Sequence, residues 1–182
     1  MKHIYQEGNQ SKNTLLLLHG TGGNEYDLLP LAEIIDPDAN ILSIRGNVLE
    51  NGMPRFFRRL AEGVFDEQDL IARTAELKAF IDEAAENYQF ERNRVIAIGY
   101  SNGANIAASL LYHFADALAG AILHHPMVPR RGITLPNLDG TNVWIGAGKF
   151  DPMCSPEEAQ ELQKTLLAAG ANTEIFWTEA GH

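Results

Sequence analysis

The sequence predicts an α/β protein in which one mostly parallel central sheet carries helices on both faces. Three observations lead there. The apolar runs are short and continuous instead of alternating, as in strands buried on both faces. Longer amphipathic stretches separate them and supply the crossovers that parallel strands require. The chain of 182 residues, 45% of them hydrophobic, suits one domain with a single sizeable core. No repeat, low-complexity tract or linker divides it, so residues 1–182 read as a single domain.

Taken in order, the first strand is Thr14–Leu18 (TLLLL), followed by a glycine-rich turn, His19-Gly20-Thr21-Gly22-Gly23. Ile41–Ile44 (ILSI) is the second strand. From Arg45 to Asp66 there are three glycines, one proline and no sustained period, which predicts a long loop; such a loop in a compact domain walls or covers a pocket. A helix over roughly Glu67–Tyr88 follows from Leu70, Thr74, Leu77, Ile81, Ala84 and Tyr88, which recur every three or four residues opposite a charged face. Arg94–Ile98 (RVIAI) is the third strand, with a helix expected from about Asn102. Gly120–His124 (GAILH) and Val143–Ala147 (VWIGA) come next. The helix Ser155–Ala169 has Ser155 as N-cap, Pro156 at its first position, Glu158 to complete a capping box, and Gly170 to end it. Thr173–Thr178 (TEIFWT) is the last strand.

Charge and cysteine content remove several classes of function. With 14 Lys+Arg against 24 Asp+Glu, the formal charge of -10 repels a phosphate backbone, which excludes nucleic acid as a partner. Cys154 is the single cysteine, so no intrachain disulfide forms. The N-terminal MKHIYQEGNQSKN lacks the apolar core of a signal peptide, and the longest apolar run, Leu15–Leu18, is too short to span a bilayer. A soluble cytoplasmic protein without membrane partners is the reading these features support.

The chemistry begins at Gly99-Tyr100-Ser101-Asn102-Gly103, a G-x-S-x-G between a predicted strand and a predicted helix. That context is what a nucleophile elbow needs: glycines where a side chain would strike the neighbouring strand or helix, and a serine exposed on a strained turn. An ordinary turn with a helix-capping serine is the alternative. A serine hydroxyl needs a base to take its proton and an acid to orient that base, in the chain order Ser, Asp or Glu, His, each beyond a later strand. Asp151 follows VWIGA and His182 follows TEIFWT, so Ser101, Asp151 and His182 meet all three positional demands. His124 and His125 are adjacent at a strand end, point to opposite faces and read as structural, while His113 on the helix after the elbow reads as a partly exposed side chain. The turn after His19 lacks both the Walker lysine and the full dinucleotide pattern; it suits an oxyanion hole built from the amides of Thr21 and Asn102. No residue cluster calls for a metal. In the long loop, Met53, Phe56, Phe57 and Phe65 are candidates to line an acyl or aromatic pocket, and Arg55, Arg58 and Arg59 to attract an acidic group. The alternative is that the aromatic residues are core and the arginines solvated.

The segments LLLLHGTGGNEYDLLPLA, ILSIRGNV, RFFRRLAEGVFDEQDL, AIGYSNGANIAASLL, GKFDP and EAGH resemble those of small bacterial carboxylesterases of the α/β-hydrolase superfamily. These belong to the phospholipase/carboxylesterase group that also includes acyl-protein thioesterases and relatives of dienelactone hydrolase. The resemblance covers almost the whole chain. It implies an α/β-hydrolase fold, a Ser101-Asp151-His182 triad, cleavage of small-molecule esters with short to medium acyl chains, no cofactor, and a tendency to form homodimers. Thioester substrates use the same machinery, and a non-catalytic ligand-binding member would keep the fold. Two departures matter. Dienelactone hydrolases proper carry a cysteine nucleophile where this chain has Ser101, and members of the family have a helix after the catalytic histidine, so the natural polypeptide is expected to continue beyond His182.

Overall fold

The computed structural model describes residues 1–182. In chain order the first elements are β1 (His3–Gln6), β2 (Thr14–Leu18), α1 (Leu29–Ile35) and β3 (Asn40–Ile44). Two hairpins follow, β4 (Val48–Glu50) with β5 (Met53–Arg55) and β6 (Arg59–Ala61) with β7 (Val64–Phe65), and then α2 (Glu67–Tyr88). The second half comprises β8 (Val95–Tyr100), α3 (Asn102–His113), β9 (Gly120–His124), β10 (Asn142–Gly148), α4 (Pro156–Ala168) and β11 (Asn172–Thr178).

Seven strands form the central sheet in the order β1-β3-β2-β8-β9-β10-β11, parallel throughout except for β1 against β3. The chain passes from β2 to β3 on one side and later returns to add β8 on the other. Strand order therefore reverses at β2 and β8, where open α/β sheets place their ligand crevice beyond the carboxyl ends of the strands. Because β2, β8, β10 and β11 are mutually parallel, the residues that follow each of them collect at one edge.

Helix ends follow local chemistry. Asp66 caps α2 by accepting from the Asp69 amide at 3.1 Å, and the helix stops at Gln89 in the left-handed region (φ +61°). Ser155 caps α4 by accepting from the Glu158 amide, while the Glu158 carboxylate turns away to the Val128 amide, so only half of the capping box forms. Leu70, Leu77 and Ile81 of α2 share the main core with Leu16 and Leu18 of β2, Ile106 and Leu110 of α3, and Leu162 and Leu166 of α4. Truncating one of these buried aliphatic side chains to alanine costs about 2–5 kcal/mol. The opposite face of β2 and β3 packs Leu15, Leu17 and Ile41 under Ala32 of α1. Helix α1 reaches only that end; farther along the same sheet, Trp144 and Phe176 stack on each other at 5.5 Å and remain partly exposed.

The sequence reading omitted β1 and α1, the one too short to show alternation and the other only two turns long. It also took Arg45–Asp66 for an unstructured loop. The Asn51-Gly52 pair has φ +51° and +80°, the backbone of a two-residue type I′ turn, and it folds β4 back on β5. Tyr88, expected on the buried face of α2, is exposed enough to stack flat on Tyr5 of β1 at 4.1 Å.

Candidate active site

Ser101 lies between β8 and α3 with φ +53° and ψ −110°, a sparsely populated conformation that costs about 1–3 kcal/mol. Its amide donates to the His124 carbonyl at 2.9 Å and its carbonyl accepts from the Asn105 amide at 2.9 Å, so the turn is held from both sides. A Cβ at Gly99 would come within 2.7 Å of the Gly103 carbonyl oxygen, and one at Gly103 would run into the Leu18 carbonyl. Only glycine allows β2, β8 and α3 to approach so closely there.

The structure brings the three sequence-predicted chemical groups together. His182 Nε2 lies 2.7 Å from Ser101 Oγ, and His182 Nδ1 lies 2.8 Å from Asp151 Oδ2. Asp151 Oδ1 accepts from the amides of Met153 at 2.8 Å and Cys154 at 3.1 Å. Burial pushes the Asp151 carboxyl up, but the hydrogen bonds from His182, Cys154 and Met153 outweigh it and hold the group below the usual carboxylate range. An ionised carboxylate only accepts, so His182 donates through Nδ1 and its Nε2 is free to accept the serine proton. The Tyr100 hydroxyl donates to the His182 carbonyl at 3.2 Å and ties that residue down. Cys154 Sγ approaches His182 Nδ1 at 3.8 Å, yet burial pushes the thiol up to about 12, so it stays protonated and donates to the His125 carbonyl instead.

Two backbone amides close to Ser101 in the cavity lining have no acceptor in the protein. Asn102 opens α3, so its amide has no helical acceptor, and the Thr21 amide makes no hydrogen bond within the protein. Both residues line the same cavity as Ser101. The first hairpin braces them. The Gly22 amide donates to the Pro54 carbonyl at 3.0 Å, the Phe56 amide to Asn102 Oδ1 at 2.8 Å, and Arg55 Nη1 to Thr21 Oγ1 at 2.6 Å. His19 contributes in the same sense, with Nδ1 donating to the Gly20 carbonyl and Nε2 accepting from the Gly46 amide. Burial pushes His19 down, which keeps the ring neutral and able to do both.

The cavity over Ser101 has a volume of about 300 Å³. A larger hollow of about 580 Å³ lies along the open sheet face and the amino ends of the strands, away from this chemistry. Of the pocket candidates from the long loop, Phe65 lines the cavity. Phe56 and Phe57 do not: they are 3% and 0% exposed and belong to the core, because the β4–β5 hairpin turns the chain inward before β6. Met53 packs beside Gly22 outside the cavity. Arg55 and Arg59 line it, whereas Arg58 points to solvent. Arg59 pairs with Glu50, while Arg55 has no carboxylate partner; burial, then Arg59, lowers it to about 10, so it remains a cation at neutral pH.

Sequence reasoning missed His125. It expected the ring to be structural, on the premise of a continuing strand, but β9 ends at His124 and His125 adopts φ +57°. That turn swings the ring onto Asp151, with Nδ1 3.0 Å from Oδ2. His125, Asp151 and His182 offer ligand atoms within 4.8 Å of one another. Binding an ion through the two Nδ1 atoms would cost both Nδ1–H···Oδ2 hydrogen bonds, since a coordinating nitrogen carries no proton.

A sequence profile of the Dienelactone hydrolase family matches residues 52–182. MhqD of Bacillus subtilis (strain 168), which carries a hydrolase name, is 66% identical over all 182 residues, which correspond to 90% of its length. The crystal structure of the Bacillus cereus carboxylesterase superposes with a TM-score of 0.99 at 64% identity, over 100% of this chain and 86% of that one. The structure of YahD with malic acid superposes with a TM-score of 0.95 at 31% identity, over 100% and 90% of the two chains. No helix is long and apolar enough to cross a membrane.

Proposed function

The chain belongs to the Dienelactone hydrolase family, and from that premise we propose that it is a serine carboxylesterase acting on small esters through an acyl-enzyme. The observation that carries this reading is the unbroken relay from Ser101 Oγ through His182 to Asp151, at 2.7 and 2.8 Å, beside two unpartnered amides. Ser101 attacks the ester carbonyl as His182 Nε2 takes its proton. Asp151 keeps the imidazole in the Nδ1–H tautomer and balances the charge that His182 acquires. The amides of Thr21 and Asn102 receive the oxyanion; a single donor of this kind contributes about 10²–10³ in rate. His182 then protonates the departing alcohol, and water repeats the sequence on the acyl-enzyme.

A cavity of about 300 Å³ suits short to medium acyl groups. Arg55 and Arg59 line it, and its relative YahD holds malic acid, a small dicarboxylic acid. Esters bearing an anionic group near the reacting carbonyl are therefore the preferred class within this reading.

A fluorophosphonate probe labels only an activated serine. The purified protein should label at one site, and Ser101→Ala should neither label nor hydrolyse p-nitrophenyl acetate. Labelling that survives in Ser101→Ala, or none in the wild type, overturns the mechanism. A p-nitrophenyl ester series run in parallel with acyl thioesters measures chain length and leaving-group preference.

A further inference from the structure

Asp151 Oδ2 is approached by two imidazoles: His182 Nδ1 at 2.8 Å and His125 Nδ1 at 3.0 Å. With the Met153 and Cys154 amides on Oδ1, the buried carboxylate accepts four hydrogen bonds. The esterase reading above uses three of them and leaves His125 without a role.

The backbone around His125 is built to deliver this contact. A residue other than glycine at φ +57° is uncommon and persists only where its surroundings over-determine it. Here the His125 amide donates to the Gly146 carbonyl at 2.8 Å, and its carbonyl accepts from Cys154 Sγ at 3.1 Å. The ring is wedged between Tyr100, edge-on at 5.9 Å, and His182 at 5.1 Å. An ionised carboxylate has only acceptors, so His125 must donate through Nδ1, as His182 does.

We propose that His125 is a positioning residue of this site: its Nδ1–H fixes the orientation of the Asp151 carboxylate and shares the charge of the oxygen that faces His182. The proposal rests on the esterase reading. Two consequences follow from it. Without the second donor Asp151 is free to rotate about its terminal torsion, and His182 loses its orientation toward Ser101. The oxygen that faces His182 also loses the donor that shared its charge. The titratable groups facing His125 are Tyr100 on β8, His124 on β9, Asp151 and Cys154 after β10, and His182 after β11. Tyr100 and Cys154 are both pushed up by burial and stay neutral through the working range.

The test compares wild type with His125→Gly and His125→Asn, using p-nitrophenyl acetate from pH 5 to 9. Glycine and asparagine both tolerate the left-handed backbone, so the pair differs in the donor. Asparagine places Nδ2 the same number of bonds from the backbone as the imidazole Nδ1. His125→Gly should lose about tenfold in kcat with KM little changed. His125→Asn should return kcat to near wild type. A His125→Gly protein with wild-type kcat, or a His125→Asn protein as impaired as His125→Gly, overturns the proposal. If the glycine variant does not fold, His125→Ala, which strains the positive φ less than a larger side chain would, takes its place with the same readouts. A wild type that the fluorophosphonate leaves unlabelled defeats the esterase reading instead, so the two failures are distinguishable.

Discussion

Phe57→Ala separates a core residue from a pocket wall. The Phe57 side chain is 0% exposed, meets Phe65 edge-on at 5.0 Å and carries the Arg55 guanidinium 5.4 Å above its ring. Emptying such a site costs about 3–5 kcal/mol, since transfer free energy is lost and the surroundings collapse only in part. In a domain of this size each kcal/mol moves the melting temperature by about 2–4 °C, so a fall of about 6–20 °C is expected. The backbone carbonyl of Phe57, which accepts from Arg55 Nε at 3.0 Å, survives the substitution. The cavity lining does not include the Phe57 ring, so the protein that remains folded at 20 °C should keep the relative kcat/KM values of a p-nitrophenyl ester series. Phe65→Ala, in a half-buried side chain that does line the cavity, should melt closer to wild type and change those ratios. Scanning calorimetry with parallel kinetics decides the matter. A Phe57→Ala protein that melts within about 2 °C of wild type and shows an altered chain-length profile refutes the reasoning.

Asp151→Asn replaces a pure acceptor with a group that can present N–H to His182, which favours the wrong tautomer; kcat should fall by about 10⁴-fold with the fold retained, and near-wild-type turnover at pH 7 would exclude the orienting role. Gly103→Ala would press a methyl group into the Leu18 carbonyl; because backbone lies on both sides, soluble expression and melting temperature should fall sharply, and a variant that melts like wild type would disprove the close approach. Stability should also depend on pH through His19 and His124, both held below the ordinary histidine range by burial. As pH falls below about 6.5 the unfolded chain takes up protons that the folded rings refuse, so stability present at pH 7 is lost toward pH 5. His19→Gln keeps an acceptor for the Gly46 amide and should flatten that slope, whereas an unchanged slope removes His19 as a cause.

The features legible in the sequence were those set by local rules. The extent of α2 follows from a 3.6-residue apolar period, and β2 and β9 from short apolar runs, because such patterns act within a few residues of the chain. The meeting of Ser101, Asp151 and His182 was legible one level higher, since parallel strands must bring the residues beyond their carboxyl ends to one edge whatever the details of packing. The direction of a side chain in an aperiodic segment was not. Phe56 and Phe57 could face core or cavity until the β4–β5 hairpin turned them inward. His125 carried no signal either: one positive φ ends β9 a residue before the ring would have faced away, and that angle is held by Gly146 and Cys154, which lie 21 and 29 residues along the chain. Periodicity and capping are written in neighbouring residues. The aim of a ring at the end of a strand is set by partners that reach it only after the chain has closed.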